Sequence, residues 1–264
     1  MTTTTMPASD VLDTHLEFLQ LPVTRAAYRD DAKRAADEGL THVEFLNTLV
    51  GKEAHAKLQR IVRARVGAAR MPVIKTMDTW DWKYNASTIR REQIIPLFEL
   101  GCLKDKSNIL LLGGQGLGKT HLSLALAHAA CCKGIPTLFT TAADMINRLY
   151  AATADRSLEK ALRTYTRPSL LVIDEIGYLP LSKEAGDLFF QVIAKRYESG
   201  SIILSCNRAF KDWTDIFADP VVAAAIIERL AHHAQIIVFR GKSHRLKGKQ
   251  RIQADADQAT DSAD

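Results

Sequence analysis

Along residues 10–70 the apolar positions recur at helical spacing among charges. Pro22 precedes TRAAYRDDAKRAADEGL, where Ala26, Ala27, Ala32, Ala35 and Ala36 lie among charged residues. Gly39 then marks a stop, because glycine readily takes the left-handed backbone that ends a helix. Thr41 and Glu44 have capping-box spacing, each side chain satisfying a backbone N–H at a helix start. They open a longer pattern through Val43, Phe45, Leu46, Leu49 and Val50 to about Arg70, which Pro72 ends. Residues 71–107 read as a linker carrying Trp80 and Trp82, then a helix capped at Ser87 or Thr88 and running to Leu100.

From residue 108 the period changes. Short apolar runs NILLL (108–112), TLFTT (137–141), LLVID (170–174), SIILS (201–205) and QIIVF (235–239) alternate with helical stretches near 120–133, 142–152, 183–199 and 220–232. Runs apolar on both sides of the pleat suit a sheet covered on both faces. The alternation predicts an α/β fold, a five-stranded parallel doubly wound sheet, preceded by a small all-helical domain. The expected division is a helical domain at 1–70, a linker and leading helix at 71–107, the α/β core at 108–251 and a disordered acidic tail at 252–264.

A chain of 264 residues, 47% hydrophobic, suffices for one large core and a small appendage. No stretch approaches the roughly 18 apolar residues of a membrane span. The N-terminal MTTTTMPASD lacks the pattern of a secretory signal. A cytoplasmic protein without membrane association is therefore expected. Cys102, Cys131, Cys132 and Cys206 lack metal-site spacing and read as reduced thiols packed in a core. The histidine pair His232–His233 has no nearby carboxylate or cysteine set to complete a metal site.

The net charge is +5. QADADQATDSAD at the end holds four aspartates and no basic residue, so removing those four charges leaves +9 on the body. Lys52, Lys57, Arg60, Arg63, Arg65, Arg70 and Lys75 form one basic stretch, with Glu53 its only acid. Arg240, Lys242, Arg245, Lys247, Lys249 and Arg251 form another. Arg60, Arg63 and Arg70 can share roughly one helical face. That makes Lys57, Arg60, Arg63, Arg65 and Arg70 candidates for a DNA phosphate backbone, with a solvated helix face as the plain alternative. No base-reading motif accompanies them, so duplex binding would be largely sequence-independent.

After the first apolar run comes Gly113-Gly114-Gln115-Gly116-Leu117-Gly118-Lys119-Thr120, which fits G-x-x-x-x-G-K-[ST] at every required position. Glycines let backbone N–H groups curl around a phosphate, and the following helix start favours an anion. Lys119 would reach the β- and γ-phosphates of ATP, and Thr120 would offer its hydroxyl to Mg2+. His121 closes this candidate ATP-contacting run; packing is its alternative, as for His128. The third run ends in Asp174-Glu175. Asp174 would hold Mg2+ through its water shell, and Glu175 would polarise the attacking water. Asn207, just past the fourth run, is the candidate to hold that water, or is a simple turn asparagine.

With these motifs the chain resembles the AAA+ ATPases of the IstB/DnaC type, and most of all the IstB-like helper ATPases of bacterial insertion sequences. The resemblance extends through IGYLPLSKEAGDLFFQVIAKRYESGSIILSCNRAFKDW and AAAIIERLAHHAQIIVFRGKSHRLK, and covers about residues 12–250. It implies that Asn207 is sensor 1. It implies that Arg229 is an arginine finger supplied in trans to a neighbouring subunit of a homo-oligomer. It implies that Arg245 is sensor 2, acting within its own subunit. Relatives often place tyrosine before that arginine; here it is His244. Ordinary surface charges are the alternative for both arginines. The resemblance also implies assembly on duplex DNA, cooperation with a cognate transposase, and a linker near the base, so that Trp80 or Trp82 packs by the adenine or anchors the core. A helicase loader of the DnaC type shares the ATPase core, and a binding scaffold without turnover is the third reading.

Overall fold

The computed structural model describes residues 8–84, 88–178 and 180–246. The acidic tail, Ser87, Lys247, Lys249 and Arg251 lie outside the described residues. The chain divides into two compact units, Met1–Ala64 and Arg65–Asp264.

The first unit is helical. It holds α1 (Ala8–Phe18), α2 (Pro22–Asp37) and most of α3 (His42–Ala68). Pro22 opens α2, where its missing N–H costs nothing. Val23 and Thr24 donate their N–H groups to Glu53 Oε2 of α3, both at 2.9 Å, so a buried carboxylate caps α2 from another helix. Arg60 completes that site at 3.3 Å. The capping box forms: Thr41 N donates to Glu44 Oε2 at 2.8 Å, and Glu44 N to Thr41 Oγ1 at 3.3 Å. Gly39 ends α2's turn with φ +66°. Of the apolar pattern along α3, Leu49 is buried while Val43, Leu46 and Val50 are exposed.

The second unit begins within α3, which stops at Ala68. Ala69 is fully buried, and its carbonyl accepts from Phe139 N at 2.8 Å. Arg70 then turns with φ +56°. Arg70 therefore does not share a helical face with Arg60 and Arg63, because tying Ala69 to the sheet ends the helix first. The helix expected up to Leu100 is also absent. One α-turn, α4 (Arg91–Ile94), gives way to 3-10 turns at Ile95–Glu99 and Gly101–Leu103, since Pro96 has no N–H to continue the ladder. Thr88 does not cap a helix; its hydroxyl donates to Arg240 O at 2.6 Å.

The sheet comprises β1 (Asn108–Gly113), β2 (Thr137–Thr141), β3 (Leu170–Ile176), β4 (Ser201–Cys206) and β5 (Ala234–Phe239), all parallel, in the order β2-β3-β4-β1-β5. Leu110 and Leu112 join an apolar layer with Met145, Leu162 and Phe189, whereas Ile109 and Leu111 join one with Leu122, Leu126 and Ile94. Both faces are therefore covered. The helices are α5 (Lys119–Cys132), α6 (Ala142–Ala154), α7 (Leu158–Thr166), α8 (Lys183–Arg196) and α9 (Pro220–Ala231). α7 was not expected from the sequence. Its Leu158, Leu162 and Tyr165 carry the signal at i, i+4 and i+7, but the helix is short and otherwise polar. β5 is an edge strand with Ile236 and Val238 exposed, so its apolar run is not covered on both faces.

Arg196 at the end of α8 is only 1% exposed. Its guanidinium donates to the carbonyls of Tyr165, Thr166, Pro168, Ser169 and Ser201. Burial lowers its pKa to about 10, which leaves it charged at neutral pH. Arg196→Met strands buried carbonyls at the entries to β3 and β4, so a loss of about 3 kcal/mol or more in unfolding free energy is expected from urea titration.

All four cysteines are free. Cys102, Cys131 and Cys206 are buried, and burial raises their thiol pKa values. Cys132 is exposed, contrary to the expectation of a packed thiol, because it lies on the outer face at the end of α5. Among the described residues no helix is long and apolar enough to cross a membrane.

Candidate nucleotide site

The sheet order sets the site. β4 lies between β1 and β3, so the loop after β1, the acidic end of β3 and the residues after β4 meet at the carboxyl edge of the sheet. They line a cleft of about 530 Å³. A larger hollow of about 760 Å³ in the helical unit, lined by Asp13, Arg25, Arg29 and Lys57 among others, has no phosphate-binding loop. The chemistry, not the size, selects the cleft.

Residues 113–120 run from β1 into α5. Leu117 is buried and anchors the loop, while Gly114 and Gln115 are exposed at its crest. Gly118, at φ +100°, sits directly before α5; a Cβ there would come within 2.7 Å of the Trp80 ring. Gly116, at φ +71°, would meet Ser243 Oγ at 2.0 Å. Both positions exclude a side chain. Lys119 is buried, and its Nζ donates to Gly113 O at 2.6 Å and Gly114 O at 2.7 Å. Burial pushes its ammonium below the usual pKa. Arg245 adds to that shift, and Asp174 and Glu175 oppose it. An incoming phosphate would offset the lost hydration by supplying negative charge at the ammonium.

Asp174 is 2% exposed and accepts a hydrogen bond from Ser205 Oγ of β4. The same Ser205 Oγ accepts from Glu175 N at 2.9 Å. Glu175 is held at φ +62°, where a non-glycine residue costs roughly 1–3 kcal/mol, and the β3–β4 register jumps between Ile173 and Ile176. The jump breaks the strand's in-out alternation. It leaves Asp174 buried and Glu175 exposed on the cleft wall. Asn207 also lines the cleft, and its Oδ1 is buried without a hydrogen-bond partner. An acceptor left in that state favours a ligand or water donor. The segment after β5 closes over the loop: His244 N donates to Gly116 O at 2.8 Å, and Tyr84 Oη donates to Ser243 O at 2.9 Å. This brings Arg245 into the cleft lining.

Thr120, Glu175, Asn207 and Arg245 thus line one cleft with Gln115 to Lys119. His121 lines it too, but Nε2 lies 2.9 Å from Thr76 O and its ring meets Trp80 edge-on at 5.2 Å, so it braces the linker. Trp80 lines the cleft, whereas Trp82 stacks with Arg91 at 5.5 Å. Arg229 is not in the cleft: it donates to Ala225 O at 3.1 Å and lies 4.9 Å over the Phe190 ring. Of the basic candidates, Lys57, Arg60, Arg63 and Arg70 are exposed. Arg65 is half-buried and donates to Gly134 O at 3.0 Å, which makes it a packing residue. Sequence reasoning missed Ser205, Ser243 and Tyr84. A serine ending an apolar strand beside Asp174 was the one available signal.

Hard oxygen donors at Thr120 and Asp174, glycine positions that a Cβ would block and the unpartnered Asn207 Oδ1 together fit a nucleoside triphosphate with Mg2+.

Comparison with known proteins agrees with this geometry. Residues 14–252 match the family described as IstB-like ATP binding protein. The chain belongs to the IstB-like ATP-binding family. Among its IstB-like relatives, the ATP-binding protein of insertion sequence IS5376 from Geobacillus stearothermophilus is 38% identical, covering 88% of this chain and 92% of the relative. That of insertion sequence IS21 from Pseudomonas aeruginosa is 37% identical over 83% and 82%. Among solved structures, DnaI aligns at a TM-score of 0.53 with 18% identity, over 68% of this chain and 93% of DnaI. AMPPCP-bound DnaA from Aquifex aeolicus aligns at 0.52 with 19% identity, over 70% and 56%. At such identities the IstB-like chain shares their fold.

Proposed function

We propose that this chain is a Mg2+-dependent ATP hydrolase that assembles on duplex DNA in the cytoplasm and serves the transposition of an insertion sequence, recruiting the cognate transposase. The observation that carries the enzymatic part is the pairing of Asp174 and Glu175 through one serine, with Glu175 held in a strained backbone at the cleft wall. A positive φ also occurs at turns such as Arg70, but at Glu175 it coincides with the register jump and the cleft wall, which supports a functional role. The presence of Glu175 and Arg229 argues against a binding scaffold without turnover.

Lys119 leaves its loop carbonyls for the β- and γ-phosphates. Thr120 and Asp174 would hold Mg2+, which screens the phosphate charge. Glu175 draws a proton from a water that Asn207 Oδ1 helps to hold. The water oxygen bonds to the γ-phosphorus as the bond from that phosphorus to the β–γ bridging oxygen breaks, leaving ADP and phosphate. Arg245 offers charge from within the subunit. Arg229, folded on Phe190 outside its own cleft, acts on a neighbour's γ-phosphate, so turnover depends on assembly. Arg229→Ala is expected to lower hydrolysis at least about a hundredfold. Mixing it with Lys119→Ala subunits should restore part of the rate, since each supplies what the other lacks. An unchanged rate in Arg229→Ala alone removes the finger.

The insertion-sequence relatives and the exposed Lys57, Arg60 and Arg63 support the DNA reading. The test is binding of arbitrary duplexes with ATP across a salt series. Three phosphate contacts per protomer predict an affinity loss of roughly 40-fold between about 50 and 200 mM salt. Flat salt dependence, or no binding with ATP, contradicts it.

A further inference from the structure

Outside the cleft, the fold assembles a set of metal-ligating side chains that the sequence did not show. Glu198, His232 and His233 bring their ligand atoms within 4.8 Å of one another. The histidine pair follows α9 directly. The carboxylate comes from the turn after α8, with Glu198 at φ +55°. The absence of a nearby carboxylate in the sequence is thus corrected by the packing of those two helix ends.

We propose that Glu198, His232 and His233 form a site for a divalent transition-metal ion of the zinc class. Two imidazoles and a carboxylate are the donor set such ions take, whereas Mg2+ prefers oxygen alone. His233 Nε2 lies 3.6 Å from Glu198 Oε1, close to the roughly 3.4 Å edge of a tetrahedron built on metal–ligand bonds of about 2.1 Å. The two imidazole centroids are 4.0 Å apart, so the rings lie side by side. Tyr197 Oη lies 2.8 Å from His232 Nδ1. With Nδ1–H donating to that oxygen, the Nε2 lone pair is left for the ion, the outer hydrogen bond fixing the tautomer. A water completes the set.

The backbones carrying these ligands are fixed. Asn108 N donates to His233 O at 2.7 Å, and Asn108 Nδ2 donates to Leu230 O at 3.0 Å. On the other side, Ser199 N and Gly200 N donate to Arg196 O at 3.0 and 3.1 Å, and the Arg196 guanidinium grips the neighbouring carbonyls. The carboxyl end of α9 favours a cation there through the helix dipole, and Glu228 adds negative charge while Arg229 opposes it. A bound ion would staple the end of α9 to the turn after α8, three residues beyond Arg229.

The test uses untagged full-length protein, stripped of metal and free of nucleotide, so its outcome is independent of the ATP reading. Zinc chloride is titrated calorimetrically and cobalt(II) spectroscopically. One ion per chain is expected, with visible cobalt bands and no near-ultraviolet thiolate band. His233→Ala and His232→Ala should each weaken binding about tenfold or more, Glu198→Gln should weaken it similarly, and Cys132→Ser should leave it unchanged. All three ligands are exposed, and circular dichroism checks that the variants fold. The proposal is overturned by absence of uptake, by uptake indifferent to His233→Ala, or by a thiolate band lost in Cys132→Ser, which would place the ion at Cys132 and His128 instead.

Discussion

Glu175→Gln is expected to bind ATP with wild-type affinity and to hydrolyse it about a hundredfold to ten-thousandfold more slowly, the range a positioned general base contributes. The amide keeps the size and the backbone bond to Ser205 Oγ, so neither the strained turn nor the seat of Asp174 moves. What it loses is the capacity to take a proton. Nucleotide titration followed by phosphate-release kinetics separates the two effects. Normal turnover in this variant removes Glu175 from the chemistry, while loss of binding would assign it to the phosphate cradle.

Lys119→Ala is expected to lose nucleotide affinity by about a hundredfold or more. Two charge-assisted hydrogen bonds to phosphate, at roughly 1.5–3 kcal/mol each, account for that factor. The folded state should not suffer. Lys119 is buried, its ammonium is disfavoured by burial, and its partners in the free protein are loop carbonyls near the surface. Thermal unfolding without nucleotide should therefore be unchanged or slightly raised, while the upward shift that ATP gives the wild type disappears. A variant that unfolds early would instead mark Lys119 as a structural residue.

Much of this was legible in the chain because local chemistry dictated it. The five apolar runs became the five strands, and Gly118-Lys119-Thr120 fell at the strand-to-helix junction where an anion site needs them. The capping box at Thr41 and Glu44 formed as spaced. Long-range contacts were not legible. Ser205 stands out only as a serine ending an apolar run; strand order decides that its hydroxyl joins Asp174 to Glu175. Nothing near Ser243 announces that it covers Gly116. The helix up to Leu100 failed where Pro96 outweighed the apolar period, and Arg70 left its helical face because Ala69 bonds to β2. Glu198 met the histidine pair only through the packing of α8 and α9.

The central proposal is that ATP is held by the loop at 113–120 and cleaved by the acidic pair. Its most direct test is phosphate release from Mg-ATP by the full-length chain at high concentration with duplex DNA. Turnover that stops when Mg2+ is chelated is the predicted result; neither binding nor hydrolysis under those conditions would contradict it.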